Sequence, residues 1–245
     1  MASPRATTSS VSVAAAVEVF VDGFSFTRSL THPYVSERVG RIRVLRDAPR
    51  KRAEDTRREE WISADAPPAE VDRLARAGAR GRFALGAILT PAIDAAATCA
   101  AYKRLGYRLG FTEPLMVHSL RRIPRVTSPA VVRRVTTAAT AARLAKATAR
   151  RPLPPEHLAS ASRLRVYAAE VDGAIVGWVS SIRCTHGHWC AHMFVVPAYR
   201  RRGIASALLA RMLRDDRAAG APRAVLTASH TGAKLYTTLG YEPIG

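Results

Sequence analysis

The chain has 245 residues, 48% of them apolar, enough to bury a core and to exclude wholesale disorder. No apolar run reaches the ~20 residues of a membrane-spanning helix, and residues 1–16, rich in Ser, Thr and Ala, lack the pattern of a secretory signal, so a cytoplasmic location is expected. The formal charge of +19 suggests polyanionic ligands, but the basic residues are scattered arginines with only Lys51, Lys103, Lys146 and Lys234 among them, a coding bias rather than the basic block of a nucleic-acid binder.

Residues 1–16 are expected to be a flexible N-terminus. Val17 to Val21 (VEVFV) reads as a short strand, broken by Gly23 and by Thr31 to Pro33. Arg41 to Leu45 alternates charged and apolar residues, as a half-buried strand does, and Asp47-Ala48-Pro49 ends it. Arg50 to Trp61 is charged and reads as a solvated helix. Asp65 with Pro67-Pro68 marks the start of a helix carrying Val71, Leu74 and Ala75, closed by Gly78 and Gly81. Phe83 to Leu89 is strand-like, Ala92 to Leu105 a helix stopped by Gly106, and Leu115 to Leu120 a strand.

Two prolines and the basic residues of Arg121 to Pro129 make residues 122–130 a linker between a first domain, 17–121, and a second, 131–245. In the second domain Val131 to Val135 reads as a strand and Thr136 to Ala149 as an Ala-rich helix. Arg163 to Glu170 and Ala174 to Arg183 form a hairpin joined at Val171-Asp172-Gly173. Trp189 to Val196 is the next strand. A helix from Gly203 to Ala218 carries Ile204, Leu208, Leu209, Met212 and Leu213 at helical spacing. Ala224 to Ala228 is a strand, Gly232 to Leu239 a helix, and Tyr241 begins an extended tail. Leu105-Gly106-Tyr107 and Leu239-Gly240-Tyr241 echo each other, as two copies of one fold would.

The chemistry concentrates where the 189–196 strand turns into the next helix. A helix start offers unpaired N–H groups and partial positive charge, a natural anion site. Gly203 and Ala205 keep side chains away from it, and Arg200, Arg201 and Arg202 add charge. Arg200-x-x-Gly203-x-Ala205, preceded by Val195-x-Pro197-x-Tyr199, resembles motif A of the GNAT acetyltransferases. Ser229 to Tyr241, with Leu235-Tyr236 and Leu239-Gly240-Tyr241, resembles their motif B.

The resemblance covers Val131 to Gly245. It implies a mixed α/β (α+β) sheet of the GNAT acyl-CoA N-acyltransferase fold, splayed after the motif A strand, in two pseudo-repeated lobes. It also implies acetyl-CoA as co-substrate and a primary amine, small molecule or protein, as acceptor. Met193, Phe194 and Val195 would pair with the pantetheine, and Arg200, Arg201, Arg202, Gly203, Ile204, Ala205 and Ser206 would hold the pyrophosphate. Tyr236 takes the position of the acid that protonates the leaving thiolate. His192 offers a base of near-neutral pKa. Cys184, His186, His188 and Cys190 recur every second residue across a tight turn, a spacing ill-suited to a tetrahedral metal site, so no metal is expected. Three cysteines, Cys99 included, argue against a disulfide scaffold.

The first domain has no Arg-x-x-Gly-x-Gly/Ala. After the 41–45 strand stands Asp47-Ala48-Pro49-Arg50-Lys51-Arg52, without glycine, so this domain reads as a degenerate, non-catalytic GNAT-like lobe. The family adds a strand after Leu-Gly-Tyr where only Glu242 to Gly245 follow. Either the first domain supplies that pairing or the product is shortened. The competing readings are a non-catalytic acyl-CoA-binding module and, from charge alone, a nucleic-acid binder.

Overall fold

The structure, a computed structural model, describes residues 13–151 and 153–245. The elements in order are α1 (Val13–Ser29), β1 (Tyr34–Val39), β2 (Ile42–Asp47), β3 (Glu59–Ala64), α2 (Pro68–Gly78), β4 (Phe83–Ile88), α3 (Ala95–Arg104), β5 (Leu115–His118) and β6 (Val131–Arg134). There follow α4 (Ala138–Thr148), β7 (Leu164–Val171), β8 (Ala174–Cys184), β9 (Gly187–Val195), α5 (Ile204–Ala218), β10 (Ala224–Thr227), α6 (His230–Thr238) and β11 (Glu242–Pro243). No helix among the described residues is long and apolar enough to cross a membrane. Cys99, Cys184 and Cys190 are unpaired.

Two mixed sheets form two lobes. The first has the order β1-β2-β3-β4, the second β11-β5-β10-β9-β8-β7-β6. Each contains one parallel pair joined by a crossover helix: β3–α2–β4 in the first, β9–α5–β10 in the second. The remaining pairs are antiparallel. Asp172 and Gly173 both take positive φ in the β7–β8 turn, as a two-residue hairpin requires.

The strand expected at Val17 to Val21 is instead the middle of α1, and residues 13–16 of the expected flexible N-terminus are its first turn; residues 1–12 lie outside the described ones. The alternating valines mislead because this helix is apolar on two sides, with only the stripe of Glu18, Asp22 and Ser25 facing a concavity. It lies between the lobes, with Tyr34, Leu45 and Ile62 of the first sheet and Leu164, Ile182, Trp189 and Val225 of the second in one core around it. A helix covered on two sides keeps only a narrow polar stripe, so its apolar residues lose the single-faced helical period. Gly23 lets α1 seat against β9, since a Cβ there would stand 2.2 Å from that of Trp189.

The solvated helix expected at Arg50 to Trp61 is absent. One short 3-10 turn, Ala53–Asp55, precedes β3, where Trp61 and Ile62 are buried. The charges of this stretch fold around a buried carboxylate: Asp47 accepts from Arg50 Nε (2.7 Å), Arg57 Nε (2.7 Å) and the Arg57 amide (2.8 Å). Burial alone would raise the Asp47 pKa, but those donors hold it far below the usual carboxylate range.

β5 lies upstream of residues 122–130, yet it is a member of the second sheet. It runs antiparallel between β10, with Leu115 opposite Thr227, and β11, with Val117 opposite Glu242. The pairing that the end of motif B lacks in sequence is therefore supplied by residues 115–118. Residues 123–130 then cross the outside of α5: Arg214 donates to Pro124 O (3.0 Å), and Ile123, Val126 and Ala130 pack on the core beneath that helix.

Candidate functional site

β9 and β10 pair only at His188–Ala224 and Trp189–Val225. β9 runs on to Val195, while β10 follows β5 and leaves it. The two parallel strands thus open a gap from Cys190 onward. A β-bulge helps open it. The β8–β9 register shifts between Trp178 and Ser180, and His192, at φ +57°, is the bulged residue. Beyond the bulge Val196 N donates to Val176 O, so by alternation Val195 turns its own N–H and C=O away from β8, toward the gap.

The start of α5 faces this opening. Gly203 caps the helix in the left-handed conformation (φ +75°), and right-handed Ile204 follows, a succession that turns neighbouring N–H groups to one side. Arg201 is also left-handed (φ +65°), an unusual conformation for a residue with a side chain. The amide of Ala207 is the first to close a helical bond, on Gly203 O at 2.9 Å, and the amides of Arg201 through Ser206 have no acceptor among the described residues. A Cβ on Gly203 would stand 3.0 Å from Thr127 O, so the strap over α5 walls the cradle on that side. The three arginines divide. Arg200 turns away: its Nε donates to Val195 O (2.9 Å), and its guanidinium lies over the ring of Phe194, itself stacked on Trp178. Arg202 lies over Tyr199, and Arg201 is exposed.

Tyr236 stands on α6, whose start is capped by Ser229 accepting from Gly232 N (3.1 Å). Its ring is buried edge-on to Tyr241 and faces Cys190, the first β9 residue beyond the last β9–β10 pair. Burial first, and then the neighbouring Cys190, push the Tyr236 hydroxyl well above its ordinary pKa. His192 is exposed on the bulge. Its imidazole is held below its ordinary pKa, first by desolvation and then by the charge of Arg150.

Residues 162–243 match the family model described as the acetyltransferase (GNAT) domain. This part of the chain is a GNAT acetyltransferase domain. The GCN5-related N-acetyltransferase of Kribbella flavida shares its fold over nearly the whole length: 94% of this chain and 92% of that one are covered, at 20% identity and a TM-score of 0.62. A functionally unknown conserved protein of Staphylococcus epidermidis is similar over 76% of this chain and 81% of its own, at 16% identity and a TM-score of 0.50. No curated protein matches the chain.

The GNAT domain is completed by elements from outside the matched residues, among them β6, which pairs with β7, and α4, which packs on the same face as α1. α1 covers one face of its sheet and β5 fills the place between β10 and β11. The first lobe has the same strand–helix–strand unit, but closed. The segment that corresponds to the cradle is not 47–52, which follows β2, but Asp65 to Pro68, between β3 and α2. β3 and β4 stay paired at six positions from Glu59–Phe83 to Ala64–Ile88. Asp65 N donates to Ile88 O (3.0 Å), and the Asp65 carboxylate accepts from Thr90 N and Oγ1 (2.9 Å each), which locks the strand ends together. Pro67 and Pro68 bring no N–H to the start of α2.

Sequence reasoning missed a buried network behind α5. Asp216 Oδ1 accepts from Arg165 (2.6 Å) and Ser181 Oγ (2.7 Å) and lies 2.9 Å from His188 Nδ1. His188 is thereby occupied. Cys184 and Cys190 belong to the cores on opposite faces of the sheet, and His186 lines a separate concavity of about 360 Å³ with Glu18 and Asp22, so the four residues do not converge. That concavity sits at the β8–β9 tip, the far end of β9 from the cradle. Asp216→Ala leaves the Arg165 guanidinium buried without its carboxylate, and is expected to cost about 3–5 kcal/mol in urea unfolding. A loss under about 1 kcal/mol would mean that water reaches Arg165.

Proposed function

We propose that this protein moves an acetyl group from acetyl-CoA to a primary amine by direct transfer. The observation that carries the reading is the row of unsatisfied amides from Arg201 to Ser206 at the mouth of the β9–β10 gap, with a buried tyrosine facing that gap. The amides and the α5 dipole would take the pyrophosphate. The gap-facing backbone of Val195, with that of Met193 and Phe194, would run beside the pantetheine. Tyr236 would protonate the departing thiolate. Its raised pKa keeps it in the proton-bearing form through neutral pH and above, the form a general acid needs. His192, whose lowered pKa leaves it neutral at pH 7, is a candidate to take the amine's proton.

The test is to incubate the protein with acetyl-CoA and a mixed pool of primary amines and to identify the acetylated products by mass spectrometry. Tyr236→Phe is expected to lower kcat by about 100-fold while acetyl-CoA still raises the melting temperature. Turnover unchanged in that variant would remove Tyr236 from the chemistry. Binding of acetyl-CoA without any acetylated product would leave an acyl-CoA-binding module.

A further inference from the structure

Tyr236 must keep one position to deliver a proton, yet it stands near the end of a helix of nine residues. Among the side chains of α6 only that of Tyr236 is buried, with Ala233 and Leu235 partly covered, so packing along the helix does little to fix its end. The turn that follows folds back on the tyrosine. Leu239 N and Tyr241 N both donate to Tyr236 O, at 3.0 and 3.1 Å, and the Tyr241 ring lies edge-on to that of Tyr236.

This turn closes around an imidazole brought by β5. His118 is buried, and its Nε2 lies 2.9 Å from Leu239 O. Its ring meets that of Tyr241 edge-on at 5.2 Å, and a Cβ on Gly240 would stand 3.1 Å from Nε2. On the other side Leu120 N donates to Nδ1 (2.8 Å), and Leu120 takes φ +60°, a backbone region uncommon for a residue with a side chain. These partners fix the tautomer. A carbonyl only accepts and an amide only donates, so Nε2 carries the proton and Nδ1 is bare. Burial holds the imidazole below its ordinary pKa, against the pull of the Leu239 and Arg122 carbonyls and the Glu242 carboxylate, so the ring is neutral at pH 7.

We propose, on the acetyltransferase reading, that His118 is the positioning residue of Tyr236: through Nε2 it clasps the end of α6 and so holds the tyrosine ring at the gap. Because β5 lies outside the residues matched by the family model, the clasp comes from the segment that joins the two lobes.

Two substitutions separate the two ends of the ring. His118→Gln can place an amide donor where Nε2 stands and keep the bond to Leu239 O. His118→Asn can place an acceptor where Nδ1 stands and keep the bond from Leu120 N. Each leaves one buried backbone group unpaired, so both should lower the melting temperature. Only His118→Asn should release Tyr236. With the most strongly acetylated amine of the mixed pool, kcat for thiol release from acetyl-CoA is expected to fall roughly 10–100-fold in His118→Asn. In His118→Gln it should stay within about threefold of the parent, and KM for acetyl-CoA should hold in both, since the cradle lies on α5. A merely structural role would lower both variants alike.

Titration of tyrosinate absorbance reads the clasp without turnover. The parent and Tyr236→Phe should superpose up to about pH 11, because the buried Tyr236 does not ionise there. In His118→Asn one further tyrosine should ionise near the ordinary value of about 10, and adding Tyr236→Phe should remove it. Equal kcat in the two His118 variants, or a His118→Asn titration that superposes on the parent's, would overturn the proposal. A parent that binds acetyl-CoA but acetylates no amine would overturn the transferase reading, and the titration then decides whether His118 holds Tyr236.

Discussion

Gly203→Glu is expected to abolish the stabilisation that acetyl-CoA confers. Acetyl-CoA at about 100 times its Kd should stabilise the parent by about 2.7 kcal/mol, which for a chain of this size raises the melting temperature by roughly 5–10 °C. Three effects act together in the variant. A side chain at φ +75° carries a left-handed penalty of about 1–2 kcal/mol. Its Cβ would press on Thr127 O at 3.0 Å, so the strap over α5 or the cap must shift. Its carboxylate would then stand where the amides of Arg201 to Ser206 converge and repel the pyrophosphate. Gly203→Ala isolates the first two effects and should retain part of the shift. A full acetyl-CoA shift in Gly203→Glu, read by differential scanning fluorimetry, would mean that the start of α5 is not the phosphate cradle.

Residues 131–245 expressed alone should give no cooperative unfolding transition, although they contain every residue matched by the GNAT family model. Without residues 13–29, the sheet face built from Leu164, Ile182, Trp189 and Val225 loses its covering helix and lies open to water. Without residues 115–118, β10 loses its antiparallel neighbour, and β11, two residues long, has nothing to pair with. Coexpression of residues 13–130 should restore a single transition, since the missing parts are non-covalent complements. A sharp transition of the isolated piece near the melting temperature of the whole chain would show that α1 and β5 are dispensable.

What the sequence disclosed followed how local the signal was. Asp172-Gly173 announced the β7–β8 turn because a two-residue hairpin demands positive φ there. The spacing from Ile204 to Leu213 announced α5 because that helix has one wet face and one dry one. The cradle was legible because Gly203 serves it through its own backbone. By contrast, the alternating valines of α1 reflect two separate walls, one of which is assembled from strands far along the chain. The charged run after Arg50 could not show that Asp47 would gather two of its arginines. The bulge at His192 leaves no mark in residue type.

The position of α1 also sets an order of events in the cell. Val19 accepts a hydrogen bond from the Cys184 thiol, which lies 165 residues later in the chain. At synthesis rates of about 5–20 residues per second, the helix waits roughly 10–30 s on the ribosome before its second wall exists. During that interval Trp189 has not yet covered Phe20, and the strand that β5 must join has not been made. The first lobe can bury its own core of Ile42, Val44, Trp61 and Val71 early, but the second wall of α1 waits for β9 and β10, and the nascent chain carries an uncovered apolar helix side until then.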